Sequence, residues 1–281
     1  MFLVLLIMNG CDNNLTVKEF TQKDCEENWA ICVLIPDKKM YYDESKLVKV
    51  AVLDSGINED ILELNRPIEK KYNAINNSEN IEHDFGHGTK VASIIASNLN
   101  KSLIGLNENV LLYDVQVLDE NGFGNVENVV DGIKWGIEQE VDIINLSFGF
   151  SIDDINLHEA ILKANEQGII LVASTGNSIG EFTDYPARYP EVLSISAVDS
   201  GLDLYPYAGL GKVDFVAPGV DVKVIDANGE IVLESGTSLA TAYATSVIVN
   251  LLQFISDRLI EDSKRLDSEE KYGNGLIQLN R

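Results

Sequence analysis

The sequence has 281 residues, enough for one large domain or two small ones. Its 45% hydrophobic and 23% charged residues are typical of a globular protein with a substantial core. The formal net charge of -24 argues against nucleic acid or an anionic membrane surface as a partner, because either would repel the chain. The same charge is compatible with attraction of a cationic peptide.

The cysteines lie close together near the start of the chain. Cys11, Cys25 and Cys32 all precede residue 33. Because their number is odd and none lies beside the catalytic candidates discussed below, the sequence predicts neither a disulfide framework nor a cysteine nucleophile. No Cys/His spacing is typical of a zinc site, so we expect no metal ligands of that kind.

The first segment is an apolar run, Phe2–Met8, followed by Asn9-Gly10-Cys11. A glycine directly before a cysteine, after a short apolar run, resembles a bacterial lipoprotein signal in which Cys11 becomes a lipid anchor. The alternative is a strand or a misplaced start site in a cytoplasmic protein. The sequence slightly favours the exported, membrane-anchored form, with residues 1–11 as the signal segment and 12–45 as an N-terminal extension.

Residues 46–281 alternate apolar, β-branched runs with longer helical patterns. The apolar runs lack polar alternation and therefore predict strands buried on both faces. These strands are Val48–Leu53, Leu111–Val117, Val141–Leu146, Gly168–Ala173 and Val192–Ala197, and the predicted helices are His87–Ser97, Asn125–Glu140, Asp154–Gln167 and the buried Leu239–Phe254. The pattern predicts an α/β fold: a single domain with a mostly parallel central sheet and helices on both faces.

Two candidate residues follow the first strand and open the first helix. Asp54 ends Val-Ala-Val-Leu-Asp-Ser-Gly, and His87 lies in Gly-His-Gly-Thr-Lys-Val-Ala, where small neighbours leave the imidazole accessible. The positive helix end disfavours an imidazolium, so a base at His87 needs an acidic partner that holds the opposite ring nitrogen. Taken separately, the two residues could be a surface histidine and a turn aspartate. His83 is a rival base in a sequence typical of a solvated loop.

Two further candidates are a nucleophile and a hydrogen-bond donor. Ser238, in Gly-Thr-Ser-Leu-Ala, opens the buried helix, and its backbone N–H is one of the free donors of a helix start. Alone, it would be read as a helix cap. Asn177, in Ala-Ser-Thr-Gly-Asn, follows a buried strand, and its side-chain amide could donate to a developing oxyanion there. The alternative is an asparagine in a left-handed turn, which is common after glycine.

Together these segments resemble the subtilisin-like serine proteases, the subtilases of peptidase family S8. Further family-like stretches are Asn-Leu-Ser-Phe-Gly ending at Gly149, Tyr-Pro-Ala-Arg-Tyr-Pro ending at Pro190, Val-Ala-Pro-Gly ending at Gly219, and Tyr-Gly-Asn-Gly-Leu-Ile ending at Ile277. The resemblance covers about residues 46 to 279. It implies a three-layer catalytic domain, the triad Asp54, His87 and Ser238, and an oxyanion hole formed by Asn177 and Ser238. The triad order and the asparagine donor are known from subtilisin.

The chain departs from the family pattern at positions outside the triad. Lys90 stands where a histidine is usual, and Ala242-Tyr243 stand where Pro-His is usual. Residues 12–45 are too few for the usual propeptide domain. Asn98–Gly105 only faintly matches the family's calcium loop, so we expect no cofactor, with a structural calcium ion weakly supported.

The resemblance also places the pocket for the P1 side chain of a substrate. Its walls match two segments, one of Leu146, Ser147, Phe148 and Gly149 and the other of Ala173, Ser174, Thr175 and Gly176, with Asp184 at the floor. A carboxylate there pairs well with arginine or lysine, which predicts a preference for basic P1 residues. The alternative is that Asp184 points into solvent from a surface loop.

These residues predict a serine endopeptidase that acts on peptides or proteins, without nucleic acid and as a monomer. An acidic, compact subtilase with basic P1 preference resembles the maturation proteases that remove leader peptides from lanthipeptide precursors. The alternatives are a general degradative protease and an inactive subtilisin fold that serves as a binding module.

Overall fold

The computed structural model describes residues 15–43, 45–62, 67–96, 104–107, 109–254, 271 and 276–278. The strands are β1 (Leu15–Glu19), β2 (Lys39–Asp43), β3 (Val48–Asp54), β4 (Lys70–Asn73), β5 (Val110–Gln116), β6 (Ile143–Leu146), β7 (Ile170–Ser174), β8 (Val192–Val198), β9 (Phe215–Pro218), β10 (Val222–Ile225) and β11 (Ile231–Glu234). The helices are α1 (Gln22–Glu27), α2 (Trp29–Leu34), α3 (His87–Ile95), α4 (Val126–Glu138), α5 (Ile155–Glu166) and α6 (Thr237–Phe254).

Several sequence-based expectations fall on residues outside these ranges. They are the lipoprotein signal with Cys11, most of the calcium-like stretch Asn98–Gly105, and all but the end of the closing motif at Ile277. Among the described helices, none is both long enough and apolar enough to cross a membrane.

The central sheet has seven strands in the order β4-β5-β3-β6-β7-β8-β9. Every neighbouring pair in it is parallel. Asp54 lies opposite Gln116, and Leu146 lies opposite both Leu53 and Ala173, so the carboxyl ends of the middle strands meet at one edge. The predicted parallel α/β class is confirmed, and β4 and β9 extend the sheet beyond the predicted strands.

Helices cover both faces of the sheet, which confirms the predicted three layers. On one face, α3 and α6 pack against alternate residues of β3, including Val50 and Val52. On the other face, α4 and α5 pack against the intervening Ala51 and Leu53. This separation follows from the two-residue period of a strand, which sends neighbouring side chains to opposite faces.

The predicted helices begin and end where local chemistry requires. Asn125 and Asp154, predicted as first residues, are the N-caps of α4 and α5, and their side chains accept hydrogen bonds from backbone N–H groups of the first turn. Gly168 follows α5 in the left-handed region, with φ of 79°, and ends the helix as predicted.

Residues 15–43 pack onto the same domain. β1 and β2 form a two-stranded antiparallel sheet, and α2 buries Ala30, Ile31 and Leu34 in the core shared with α3 and α6. The Asn28 side chain donates to the Tyr243 hydroxyl at 3.3 Å, and that hydroxyl donates to the Ile104 carbonyl at 3.1 Å. The tyrosine that departs from the family pattern therefore joins the N-terminal segment to the middle of α6.

The expectation of no disulfide is wrong for one pair of cysteines. Cys25 in α1 and Cys32 in α2 form a disulfide, with Cα atoms 5.4 Å apart. An odd number of cysteines still allows one pair to form, so the count gave no guide to this pairing. The third cysteine, Cys11, lies outside the described residues. The disulfide closes a short loop around Asn28 and Trp29.

The β10–β11 hairpin is a small separate sheet that lies along α3. Val222 to Ile225 pair with Glu234 to Ile231 in antiparallel register. On β11, Ile231 and Leu233 are exposed. The hairpin ends directly before Gly236 and α6, and it thus connects the surroundings of α3 with the start of α6.

Candidate active site

The carboxylate of Asp54 and the imidazole of His87 are in contact. His87 Nδ1 lies 2.8 Å from Asp54 Oδ1 and 2.9 Å from Oδ2. Asp54, at the end of β3, is only 1% exposed, and its Oδ1 also accepts the Ser55 N–H at 2.7 Å. The contact fixes the ring so that Nδ1 is the donor and Nε2 is left for other partners.

The glycines beside His87 also have a structural role in the way α3 begins. Gly86 is the N-cap of α3 in the left-handed region, with φ of 74°. A Cβ at Gly88 would lie 2.5 Å from the Gly56 carbonyl oxygen and 3.2 Å from Asp54 Cβ. Gly86 therefore allows the left-handed turn into α3, and Gly88 lets α3 start close against the loop after Asp54, which brings His87 to the carboxylate.

Two opposing effects set the pKa of His87. Burial favours the neutral ring and lowers the pKa, but the charge of Asp54 and its hydrogen bond outweigh burial, so the pKa lies above the ordinary value. The positive end of the helix, considered alone, predicted a pKa of His87 below the ordinary value. The difference arises because the carboxylate is in direct contact with the ring.

Ser238 lies at the second position of α6 and is 8% exposed. Its hydroxyl donates to the Ser147 carbonyl oxygen at 2.7 Å, and the Ser147 hydroxyl lies 3.2 Å from the Ser238 carbonyl oxygen. Within the described residues, no hydrogen bond joins the Ser238 hydroxyl to His87. The structure thus brings Asp54 and His87 together and leaves the hydroxyl directed at the neighbouring strand end.

Asn177 and the start of α6 form a cluster of donors. Asn177 Oδ1 accepts hydrogen bonds from the Thr237 N–H at 3.2 Å and from the Thr237 hydroxyl at 3.1 Å. The amide nitrogen of Asn177, Nδ2, is not used in these bonds and lies close to Gly236. A Cβ added at Gly236 would be 3.8 Å from Nδ2 and 3.9 Å from the Ser238 nitrogen. Two N–H donors therefore lie close to the same point beside Gly236, as an oxyanion site requires.

Two glycines and a carboxylate lie together where the sequence predicts the P1 pocket. A Cβ at Gly149 would clash with the Asp184 side chain, and a Cβ at Gly176 would clash with its Oδ2. Asp184 thus lies between the two predicted walls, and its N–H donates to the Thr175 carbonyl at 3.0 Å.

The other predicted wall residues lie deeper. Leu146 and Ala173 are fully buried in the α4/α5 core. Ser174 and Thr175 are also buried, and the Phe148 ring packs edge-on against Phe150, with centroids 5.9 Å apart.

The electrostatics of Asp184 depend on burial and on one nearby cation. Partial burial raises its pKa above the ordinary value, and the charge of Arg188 opposes this only in part. The Arg188 guanidinium lies over the Tyr185 ring, 4.6 Å from its centroid, and donates to the Thr183 carbonyl at 2.7 Å. The arginine thus has other partners, and no ion pair joins it to Asp184 among the described residues.

A buried polar network behind the site was missed by the sequence analysis. The Asn145 amide donates to the Thr245 hydroxyl at 2.9 Å, and Asn145 Oδ1 accepts the Ser147 hydroxyl at 2.8 Å. All three side chains are buried. The network connects β6 with α6 beneath Ser238. The asparagine lies in a quoted family-like stretch, but its partner Thr245 carries no sequence signal.

Asp114 on β5 is a second buried carboxyl group close to Asp54, and it too was missed. Its Oδ2 accepts the Ile57 N–H at 3.1 Å, and its Oδ1 has no protein partner. Burial, reinforced by the charges of Asp54 and Glu59, raises its pKa to about 7. The residue supports the loop against which α3 starts.

The described part of the chain contains no group of three or more His, Cys, Asp or Glu side chains that could hold a metal ion. The faint calcium-like stretch Asn98–Gly105 lies mostly outside that part, at residues 98–103. The expectation about cofactors thus stays a prediction.

A parallel α/β sheet with an Asp–His pair, a serine at a helix start and paired N–H donors defines a site of the serine-hydrolase class. A model of the Subtilase family matches residues 45–265. Because this match covers more than half of the sequence, the chain belongs to the subtilase family.

Individual relatives agree with this assignment. The minor extracellular protease Epr of Bacillus subtilis (strain 168) is 35% identical over 249 residues, which cover 83% of this chain and 38% of Epr. The thermostable alkaline protease of Halalkalibacterium halodurans is 34% identical over 246 residues, covering 83% of this chain and 66% of the relative. Subtilisin of Bacillus pumilus is 33% identical over 248 residues, covering 83% and 89%.

Proposed function

We propose that the chain is a serine endopeptidase in which Asp54, His87 and Ser238 form the triad. The observation that carries the proposal is the contact of Asp54 with His87 Nδ1 at 2.8 Å, at the sheet edge where the Ser238 hydroxyl bonds to the Ser147 carbonyl and two N–H donors lie beside Gly236. For catalysis, the Ser238 hydroxyl must exchange its hydrogen bond to the Ser147 carbonyl for one to His87 Nε2. The hydroxyl then has the base that a serine nucleophile needs.

The chemistry follows from these positions. Ser238 Oγ attacks the carbonyl carbon of the scissile amide, and its proton passes to His87 Nε2, while Asp54 stabilises the imidazolium. The oxyanion accepts hydrogen bonds from Asn177 Nδ2 and the Ser238 N–H. When the C–N bond breaks, His87 protonates the leaving amine. Water, deprotonated by His87, then hydrolyses the ester and releases Ser238.

Covalent labelling tests this proposal against an inactive binding module. A fluorophosphonate should label Ser238 in the wild-type chain, and mass spectrometry should locate the adduct on that residue. Labelling should fall as pH drops, because protonation of His87, whose pKa is raised, removes the base. A folded chain that stays unlabelled at neutral and alkaline pH would favour the binding module.

The substrate preference is the second part of the proposal. Asp184, held between Gly149 and Gly176, presents a partly buried carboxylate where the P1 side chain enters, which favours arginine or lysine. The net charge of -24 additionally attracts cationic peptides. Because burial raises the pKa of Asp184, selectivity for arginine should weaken as the pH falls.

A panel of fluorogenic peptides that differ only at P1 measures this preference. We expect wild-type kcat/KM to be higher for Arg than for Phe or Leu, and Asp184→Asn to reduce the ratio by about tenfold or more. Asp203→Asn, an exposed aspartate, is the matched control and should leave the ratio unchanged. Equal or faster wild-type cleavage after Phe or Leu would contradict the basic preference.

The physiological role we propose is removal of leader peptides from lanthipeptide precursors. It rests on the basic P1 preference and on the acidic, compact catalytic domain, and the Cys25–Cys32 disulfide favours the exported alternative for localisation. A purified chain should cut a modified precursor at one site next to a basic residue and leave casein largely intact. Rapid digestion of casein at many sites would instead support a general degradative protease.

A further inference from the structure

The β10–β11 hairpin contacts α3 at its start, middle and end. A Cβ at Gly86 would lie 2.7 Å from Ala227 Cβ in the hairpin turn. The Lys90 ammonium lies 2.5 Å from the Glu234 carboxylate, and the Ile225 N–H donates to the Ser93 hydroxyl at 3.2 Å. The helix that begins with His87 is therefore held against the hairpin along its length.

The ion pair in the middle joins the neighbourhoods of the base and the nucleophile. Lys90 is three residues after His87, so both lie on the same side of α3. Glu234 is the last residue of β11, and the chain continues through Gly236, whose N–H donates to the Gly219 carbonyl at 2.7 Å, into Ser238. A shift of β11 relative to α3 would thus change the distance between the imidazole and the hydroxyl.

The stabilising effect of this pair is small, which points to another role. The Lys90 and Glu234 side chains are 24% and 39% exposed, so the pair is partly exposed to solvent, and ion pairs in contact with solvent contribute little to stability. A contact that stabilises weakly but connects two catalytic segments acts mainly on their relative position, where an error of about 1 Å can reduce the rate by about a hundredfold.

Both charges also act on the base. The groups that influence His87 are Asp54 on β3, Lys90 on α3 and Glu234 on β11. The Lys90 cation lowers the pKa of His87 and the Glu234 anion raises it, and both effects are smaller than that of Asp54. Because these two effects have opposite signs, the ion pair can hold the helix with little net effect on the pKa of His87.

We propose that Lys90 and Glu234 are positioning residues whose ion pair sets the register between the His87 helix and the strand that leads to Ser238. The proposal rests on the serine endopeptidase function proposed above. It gives a role to the lysine at position 90, which departs from the family pattern, together with an acidic partner on β11.

Four variants test the pair: Lys90→Met, Glu234→Gln, the double substitution, and the exchange Lys90→Glu with Glu234→Lys. Each single variant should lower kcat by about tenfold or more with little change in KM. The acid limb of the pH profile of kcat/KM, where activity falls as His87 is protonated, should move to higher pH in Lys90→Met and to lower pH in Glu234→Gln. The directions follow because Lys90 lowers the pKa of His87 and Glu234 raises it. The double variant should return the limb towards its wild-type position without restoring kcat, and the exchanged pair should restore much of kcat.

Two controls separate positioning from general damage. Lys134→Met removes one exposed positive charge from α4 and should change neither kcat nor the acid limb. Lys90→Arg keeps the cation and should retain most of kcat, which tests the pair even if Lys90→Met folds poorly.

Some outcomes would refute the positioning role of the Lys90–Glu234 pair without refuting the proposed function. Wild-type kcat in both single variants, or limbs that move in the same direction, would refute the positioning role while wild-type labelling of Ser238 still supports the proposed function. An unlabelled, inactive wild-type chain would instead refute the proposed function.

Discussion

The helices on the two faces of the sheet bury different chemical groups. α4 and α5 bury only apolar residues and glycine. α3 and α6 also bury hydroxyl groups, including Thr89 and Ser93 on α3 and Thr241 and Thr245 on α6. The face with polar groups in its core is the one whose helices contribute His87 and Ser238.

This difference shows two ways in which a core can be specified. The α4/α5 face requires only side chains of suitable size and shape. The α3/α6 face requires hydrogen-bond partners as well, because a buried polar group without a partner costs free energy. Asn107 illustrates this: its amide donates to both the carbonyl and the hydroxyl of Ser246. Substitutions on the two faces should therefore affect activity and stability differently.

The largest effect is expected from Ser238→Ala at the start of α6. It removes the nucleophile, and kcat should fall by about 10⁶-fold, which is the loss that subtilisin itself shows. The free energy of unfolding should change little, because only a hydroxyl bonded to the Ser147 carbonyl is lost. Peptide hydrolysis and urea unfolding measure the two quantities, with the exposed Ser200→Ala as the control. Retained turnover would point to a different nucleophile.

The next largest effect is expected from Asp114→Asn. The asparagine keeps the acceptor for Ile57, and it removes a buried group whose pKa is raised from 3.8 to about 7. Between about pH 4 and about pH 7 this group ionises in the unfolded chain but stays protonated in the folded one, so the wild type loses stability progressively as the pH rises through this interval. The stability of the variant relative to the wild type should therefore increase over this interval and level off above it, by about 4 kcal/mol at most.

Urea unfolding at pH 5 and pH 8, in a Ser238→Ala background that prevents self-digestion, measures this increase. The exposed Asp131→Asn on α4 makes the same charge change on the other face and is the control. A relative stability that does not depend on pH would show that Asp114 ionises as readily in the folded chain as in the unfolded one.

Asn177→Ala should remove one oxyanion donor. We expect kcat to fall by about 10²–10³-fold, equivalent to roughly 2.7–4 kcal/mol in the transition state, with KM little changed. The control is Asn156→Ala on the exposed side of α5, which should leave both constants unchanged. A loss confined to KM would mean that the amide binds the ground state and not the transition state.

The smallest effect is expected on the α4/α5 face. Ile161→Val removes one methylene from a fully buried side chain and should lower the free energy of unfolding by about 0.5–1.5 kcal/mol. Activity at low temperature should be retained. Ile155→Val on the same helix, where the side chain is 70% exposed, should change neither quantity. Loss of activity in Ile161→Val without loss of stability would break the distinction between the two faces.

The sequence predicted the α4/α5 face most completely. Helix α4 was predicted as Asn125–Glu140 and spans Val126–Glu138, and helix α5 was predicted as Asp154–Gln167 and spans Ile155–Glu166. Apolar periodicity reports burial directly, and these elements bury apolar residues. The candidate catalytic residues were found differently, from short motifs at strand ends and helix starts.

What the sequence did not reveal depends on tertiary contacts. β11 exposes Ile231 and Leu233, so its apolar residues give no guide to a strand beside the site. Cys25 and Cys32 lie in two short helices whose approach has no local signature. The ion pair of Lys90 and Glu234 joins residues far apart in the chain, and no spacing rule could pair them.

The Cys25–Cys32 disulfide has a consequence for the durability of a protein-cutting chain. It encloses Asn28, whose side chain reaches Tyr243 on α6, and Trp29, whose indole N–H donates to the Asp221 carbonyl at 3.3 Å. If another copy hydrolysed a peptide bond inside this loop, the two fragments would stay covalently joined, and both anchoring side chains would remain tethered to their docking sites. A single accidental nick there would thus be tolerated, whereas the same nick in an uncrosslinked segment would release a free end.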